Sequence, residues 1–92
     1  MDTWQIVKKP SYERHLERLS KDYERIDELS HAIDWALSRN PKRFTSIIGK
    51  DYIWKTPKRR GFPQVRVFYQ IDEKSQTVYL LAIAEVVDEV EY

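Results

Sequence analysis

Cysteine is absent from the 92-residue chain, which excludes a disulfide framework, a thiol nucleophile and a thiolate metal site. Only two glycines are present, too few for the glycine-rich loops that cradle nucleotide phosphates. No apolar run approaches the roughly 18 residues that span a membrane, and the amino end lacks a signal-peptide pattern. We therefore expect a cytoplasmic protein with no membrane contact.

Histidine is also scarce. His15 and His31 are the only two, and no pattern of carboxylates accompanies them. Isolated histidines on predicted helices are more often surface side chains than metal ligands. Serines are present, but none lies in a nucleophile-elbow sequence. The sequence therefore predicts no metal and no cofactor, and it contains no conventional hydrolase motif.

Positive charge is concentrated in the middle of the chain, although the formal net charge is only +1. Residues 41–70 carry eight Lys and Arg against a single acid, Asp51, which gives +7. Residues 1–40 carry −1, and residues 71–92 carry six acids against Lys74, which gives −5. A basic segment of this kind indicates an anionic partner, either a nucleic acid or an acidic protein.

Two apolar runs that flank a polar loop at residues 72–76 predict an antiparallel hairpin. In the first run, Val65, Val67 and Tyr69 fall on one face of the strand, and Arg, Phe and Gln fall on the other. The second run is apolar on both faces over residues 78–84, so we expect a central strand that is covered on both sides. The rest of the chain is therefore expected to supply a pairing strand at each edge of this strand and a layer over at least one face.

The stretch before the basic segment has helical spacing of its apolar residues. Pro10 or Ser11 begins a helix, because proline is tolerated in the first turn and serine is a good N-cap. The apolar spacing changes phase near residues 20–22, which predicts a break between two antiparallel helices. One long bent helix is the alternative, since no glycine or proline marks the break. Asn40-Pro41 ends the second helix, because the residue before proline avoids the helical region.

Shorter alternating runs at residues 3–8 and 51–56 predict two more strands, the first with a lysine-rich end that suits a sheet edge. Residues 41–50 form a connection with a short turn, and residues 58–63 form a basic turn that leads into the hairpin. The order β-α-α-β-β-β predicts a single α+β domain over residues 1–92, with two N-terminal helices packed on a small twisted antiparallel sheet.

The basic segment is interleaved with aromatic residues. Cations neutralise phosphates and aromatic rings stack on exposed bases, so this mixture suits single-stranded RNA. Strand alternation places Arg66 and Phe68 on one face, and Lys55 on the opposite face from Trp54. The alternative is a solvated basic turn beside aromatic residues of the core. The candidate RNA-binding residues are Lys50, Trp54, Arg59, Arg60 and Phe62.

The predicted elements and their local sequences follow one another in a familiar order. Two N-terminal helices ending at residues 40–41 are followed by Ile48-Gly49, by VRVFYQID from Val65 and by VYLLAI from Val78. In this order and spacing the segments resemble the RelE/ParE toxin superfamily, and the likeness covers nearly the whole chain. The resemblance implies a compact fold of two helices on a twisted antiparallel sheet, which agrees with the elements predicted above.

The resemblance implies the toxin of a type II toxin–antitoxin system. A RelE-like toxin is an endoribonuclease (mRNA interferase) that inhibits translation by cutting mRNA in the ribosomal A site without a metal. The ribose 2′-hydroxyl attacks, and one product carries a cyclic phosphate. The cut needs charge stabilisation at the phosphate and proton transfer, which the family supplies with lysines, arginines and a C-terminal tyrosine. The catalytic residues implied here are Arg66 as a phosphate clamp, Lys55, Lys58 and Tyr92.

The chain departs from the family pattern after Ile83, where Glu85 and Val86 stand in place of the usual basic residues. One alternative is therefore a ParE-like toxin or a catalytically inactive relative that acts by binding a protein such as gyrase. Another is a basic nucleic-acid-binding module that is not a toxin. Both toxin interpretations imply a cognate antitoxin as partner, and the RelE-like one also implies mRNA on the ribosome. The candidate apolar contacts for an antitoxin are Trp35, Tyr52 and Trp54.

Overall fold

The computed structural model describes residues 3–42 and 46–87. They form β1 (Gln5–Lys8), α1 (Pro10–Asp22), α2 (Ile26–Arg39), β2 (Ser46–Ile48), β3 (Asp51–Lys55), β4 (Val65–Asp72) and β5 (Thr77–Glu85). The strands make one sheet in the order β1-β5-β4-β3-β2. The predicted α+β architecture, two helices packed on a small sheet, is therefore confirmed.

The sheet is mixed rather than purely antiparallel. β1 lies at one edge, as its lysine-rich end predicts, but it pairs with β5 in parallel, while the other neighbouring strands are antiparallel. A tight turn forces antiparallel pairing, and no tight turn joins β1 to β5. At the other edge, β2 is a strand that the sequence does not predict. All three of its residues are exposed, so it lacks the alternation of burial that signals a strand.

The predicted hairpin forms the centre of the sheet, with β4 and β5 antiparallel. Val65, Val67 and Tyr69 are completely buried, which confirms the alternation predicted for the first strand. The Tyr69 hydroxyl donates a hydrogen bond to the backbone carbonyl of Pro41, at the end of α2. The inward face of β4 is thereby tied to the helical layer.

β5 is a central strand, but the helices cover only one of its faces. Val78, Leu80 and Ile83 are buried, whereas the residues between them are half-buried. The pairing with β4 shifts between Leu80 and Ala82, so Leu81 is an extra residue in a β-bulge. The expectation that β5 is covered on both sides was wrong, because the bulge and the small alanines interrupt what looks like a continuous apolar strand.

The two helices are separate, as predicted. α1 begins at Pro10 and α2 ends just before Asn40, both at the expected positions. The break lies at residues 23–25, slightly later than predicted, because Tyr23 takes an extended conformation with φ of −135°. The Tyr23 hydroxyl then donates a hydrogen bond to the carboxylate of Glu85 on β5.

The helices leave one side of the sheet uncovered. α1 lies along β5, and the Ser11 hydroxyl donates a hydrogen bond to the backbone carbonyl of Leu81 in the bulge. α2 packs on the sheet through Ile33 and Leu37, which are almost completely buried. We call the uncovered side of β3, β4 and β5 the open face; by strand register it carries Ile53, Lys55, Arg66, Phe68, Gln70 and Tyr79.

Candidate nucleic-acid interface

Two cations lie side by side on the open face. Lys55 and Arg66 are directly opposite each other on β3 and β4, and both side chains are exposed. Neither makes a hydrogen bond or an ion pair with any residue that the structure describes. Like charges directly opposite on neighbouring strands destabilise a sheet. This arrangement favours the binding of an anion by the two side chains together.

The acidic side chains of β3 and β5 are hydrogen-bonded within the protein and do not neutralise this pair. The Asp51 carboxylate accepts a hydrogen bond of 2.7 Å from the side-chain amide of Gln70. Glu85 pairs with Val65 and so lies on the opposite side of the sheet from Arg66. There it accepts the hydrogen bond from Tyr23, which is the main reason why the pKa of Tyr23 is raised. The acid that stands where a cation is expected therefore does not point towards Arg66.

An apolar patch continues the open face beyond the cation pair. Phe68 follows Arg66 by two positions on β4 and is half-buried, with Ala82 opposite it. Between this patch and α1 there is a shallow pocket of about 440 Å³. Besides Phe68 and Ala82, its lining includes Ala84 and the α1 residues His15, Arg18 and Asp22.

The contribution of α1 to this surface is not predicted from the sequence. His15, Arg18 and Asp22 are spaced by three and four residues, which places them on one face of the helix. This spacing, beside the buried Leu19, is visible in the sequence. The spacing places these side chains beside Phe68 only once α1 is known to lie along β5.

Trp54 and Phe62, predicted to stack on RNA bases, lie on the helix side of the sheet. Trp54 is opposite Val67, whose side chain is completely buried. Together with α2 the two rings line an apolar groove of about 340 Å³, which also includes Trp35. Trp35 is 61% exposed, whereas Trp54 and Tyr52 are half-buried against the core. The structure does not bring these aromatic rings to the cation pair.

Arginines near this groove contact its aromatic rings. The guanidinium groups of Arg25 and Arg59 lie 4.4 and 5.6 Å from the centre of the Phe62 ring. Arg25 also donates two hydrogen bonds to Glu28, which raise the pKa of Arg25 and lower that of Glu28. Two of the predicted RNA-binding residues, Arg59 and Phe62, therefore contact each other.

The basic turn is a closed loop. The backbone amide of Thr56 donates to the carbonyl of Val65 at 2.9 Å, and the amide of Val65 donates to the Thr56 hydroxyl at 3.0 Å. At the tip, Gly61 has φ of 85°, and a Cβ there would lie 3.2 Å from a guanidinium nitrogen of Arg25. The positive φ favours glycine at this position, whereas the contact with the flexible end of the Arg25 side chain could be relieved by a small movement.

Three of the remaining predicted site residues lie outside β3 and β4, the strands that carry the cation pair. Lys58 and Arg60 are exposed in the loop after β3. Lys50 is exposed in the turn before β3, at the opposite end of that strand from Lys55. Tyr92 lies outside the described residues. Of the predicted catalytic residues, the structure brings together Lys55 and Arg66.

No family model matches the chain, and no curated protein matches it. Among solved structures, the chain is similar to one chain of the RelBE2 toxin–antitoxin complex from Mycobacterium tuberculosis, with a TM-score of 0.74 and 22% identity. The alignment covers 96% of this chain and 97% of that one. The fold is RelE-like.

This likeness confirms the fold that the sequence resemblance implied. No helix within residues 3–42 and 46–87 is both long and apolar enough to cross a membrane. In the same residues there is no group of three or more side chains that could hold a metal ion.

Proposed function

We propose that this chain is the toxin of a type II toxin–antitoxin system and cuts mRNA on the ribosome. The observation that carries the proposal is the pair formed by Lys55 and Arg66, which are exposed, adjacent and without a partner among the described residues. Their separation suits a single phosphate group, because directly opposite residues of an antiparallel pair have Cβ atoms about 5 Å apart. The RelE-like fold supports the same assignment.

The cation pair can stabilise the charge that develops during cleavage. A ribose 2′-hydroxyl loses its proton and attacks the neighbouring phosphorus, and the bond from phosphorus to the 5′-oxygen breaks. The leaving 5′-oxygen takes up a proton, and the other product ends in a 2′,3′-cyclic phosphate. Arg66 clamps the phosphate through its planar guanidinium, and Lys55 adds a second charge. Tyr92 is proposed as a proton-transfer group.

An antitoxin is the expected protein partner, and the similar solved structure is a toxin–antitoxin complex. The groove beside α2 offers an apolar contact surface for such a partner through Trp35. The same groove favours the second candidate function, a ParE-like toxin that acts by binding a protein such as gyrase. Such a toxin needs no catalytic set, and its activity depends on Trp35 rather than Arg66.

The first experiment adds the purified protein to a cell-free translation reaction and maps the 3′ ends of the mRNA. We expect cuts within codons that require translating ribosomes and that are lost in the Arg66→Ala variant. Arg39→Ala is the matched control, because Arg39 is an exposed arginine beside Trp35 on α2. Intact mRNA with normal protein output contradicts the nuclease proposal, and inhibition of gyrase that is lost in Trp35→Ala supports the second candidate.

A further inference from the structure

The pocket between α1 and the open face contains polar groups that the fold itself does not use. Arg18 and Asp22 are exposed at its rim and His15 is half-buried. None of the three makes a hydrogen bond or an ion pair with another residue in the described parts of the chain. Unused donors and acceptors around an apolar floor are typical of a ligand site.

The floor of the pocket is apolar and accessible to a flat ring. Phe68 is half-buried, and its cross-strand neighbour is the small residue Ala82. Ala84, which pairs with Arg66, continues the floor towards the cation pair. Two alanines next to one phenylalanine leave room above the sheet for a ring to stack on Phe68. Aromatic side chains bind nucleobases in this way, whatever the base.

The pocket lies at a suitable distance from the proposed phosphate site. Arg66 and Phe68 are two positions apart on the same face of β4, which corresponds to roughly 7 Å along a strand. A phosphate and the base of the same nucleotide are separated by a similar distance. A nucleotide whose phosphate contacts Arg66 can therefore place its base over Phe68.

We infer that this pocket binds one unstacked nucleobase of the RNA strand whose phosphate contacts Lys55 and Arg66. The inference rests on the proposed action on RNA and adds a base-reading subsite to it. Phe68 stacks on the base, Arg18 donates hydrogen bonds to its acceptors, and Asp22 accepts from its exocyclic amino group.

The polar groups at the rim predict which bases are accepted. Arg18 and Asp22 lie one helical turn apart, with Cβ atoms about 5–6 Å from each other, comparable to the width of a base. Adenine, guanine and cytosine each offer acceptors for the guanidinium and an amino group for the carboxylate. Uracil has no amino group and offers the Asp22 carboxylate only its ring N3–H, which lies between two carbonyl oxygens that repel the carboxylate. The pocket therefore disfavours uracil.

Binding of short RNAs to the purified full-length chain tests this inference. Fluorescence anisotropy with labelled hexaribonucleotides of adenine, cytosine or uracil is expected to show about tenfold weaker binding of the uracil oligomer. Phe68→Leu keeps an apolar side chain but removes the ring. It is expected to weaken binding of the adenine and cytosine oligomers by about 5- to 100-fold.

Two rim substitutions separate base reading from simple charge. Arg18→Gln is expected to weaken the binding of all three oligomers, because each base offers acceptors to the guanidinium. Arg14→Gln makes the same charge change at an exposed position of α1 outside the pocket and is expected to weaken their binding less. Asp22→Asn gives uracil an amide donor and is expected to narrow the difference between the oligomers. Loss of a negative charge alone raises the affinity for all three oligomers equally.

Three results overturn the inference: equal binding of the three oligomers, unchanged binding by Phe68→Leu, or no binding of any oligomer. The proposed function is judged separately, by the cutting of mRNA in the translation reaction. Ribosome-dependent cuts together with equal oligomer affinities reject the base pocket alone. Intact mRNA together with a clear preference against uracil rejects the nuclease proposal and leaves a base-reading RNA-binding surface.

Discussion

The helix side and the open side of the sheet differ in what surrounds their cations. On the helix side, Arg25 and Arg59 lie over the ring of Phe62, and Arg39 lies 4.2 Å from the centre of the Trp35 ring. On the open face, Lys9 lies 5.1 Å from the centre of the Tyr79 ring, but Lys55 and Arg66 have no such ring and no acid among the described residues. A cation over an aromatic ring already interacts favourably within the protein. Lys55 and Arg66 make no such interaction and are available for a ligand.

This comparison shows how strand alternation divides a basic, aromatic-rich sequence into two surfaces. Trp54 and Lys55 are neighbours in the chain, yet Trp54 lines the apolar groove and Lys55 stands on the open face. The same division separates Val67, which is buried, from Arg66. A count of cations and aromatic rings along the chain therefore overestimates how many of them can contact one ligand.

The strongest test of the comparison removes both open-face cations. Lys55→Ala and Arg66→Ala are each expected to slow ribosome-dependent cutting by about 100-fold or more, because each removes charge stabilisation at the phosphate. The double variant is expected to lose little more than the worse single variant, because both side chains act on one phosphate. Cleavage rates in the translation reaction measure this. If the double variant slows cutting by the product of the two single-variant factors, Lys55 and Arg66 do not act on one shared phosphate.

The second test compares two leucines that are adjacent on β5. Leu80→Ala is expected to lower the free energy of unfolding by about 2–5 kcal/mol, because Leu80 is completely buried on the helix side. Leu81→Ala is expected to cost about 1 kcal/mol, because Leu81 is half-buried in the bulge. Urea denaturation followed by tryptophan fluorescence gives both values. Equal losses contradict a sheet with only one covered face.

The third test compares two tyrosines of the buried side. Tyr69→Phe is expected to cost about 1 kcal/mol, because it removes the hydrogen bond to Pro41 and leaves a buried carbonyl without that donor. Tyr12→Phe is expected to be nearly neutral, because the buried Tyr12 hydroxyl makes no hydrogen bond within the described parts of the chain. Denaturation at neutral pH measures both. If Tyr12→Phe lowers the free energy of unfolding more than Tyr69→Phe does, the stabilising hydrogen bond is made by Tyr12 and not by Tyr69.

Tyr12 also predicts a change of stability at alkaline pH. Burial, and then the charge of Asp34, raise the pKa of Tyr12 in the folded chain. Below the pKa of about 10 that tyrosine has in the unfolded chain, both states keep the Tyr12 proton and the free energy of unfolding is unaffected. As the pH rises above that value, the unfolded chain releases the proton first, so the free energy of unfolding falls. The Tyr12→Phe variant is expected to lose less stability than the wild-type chain over that range. Parallel alkaline curves for the two chains contradict this linkage.

Much of the architecture could be predicted because it depends on local patterns. The alternation in β4, the proline at the start of α1 and the proline after α2 each specify a conformation in a few residues. The pocket beside Phe68 could not be predicted, because it depends on α1 lying along the part of β5 that β1 leaves free. The position of Glu85 also depends on a contact over long sequence separation, its hydrogen bond with Tyr23.

The smallest expected effect concerns Arg25, a cation of the helix side that is hydrogen-bonded to Glu28. Arg25 lowers the pKa of Glu28, mainly through its hydrogen bonds. The stabilisation by this pair is complete at pH values above the pKa of Glu28 in the unfolded chain. It is lost as the pH falls through the lower pKa of Glu28 in the folded chain. Arg25→Ala is expected to move the pKa of Glu28 back upwards in a carboxyl NMR titration, with a small change in stability because the pair is exposed. In Arg39→Ala, the control, Glu28 is expected to titrate as in the wild-type chain. If Glu28 titrates identically in all three chains, Arg25 is not held by its carboxylate, and the contrast with Lys55 and Arg66 is weaker.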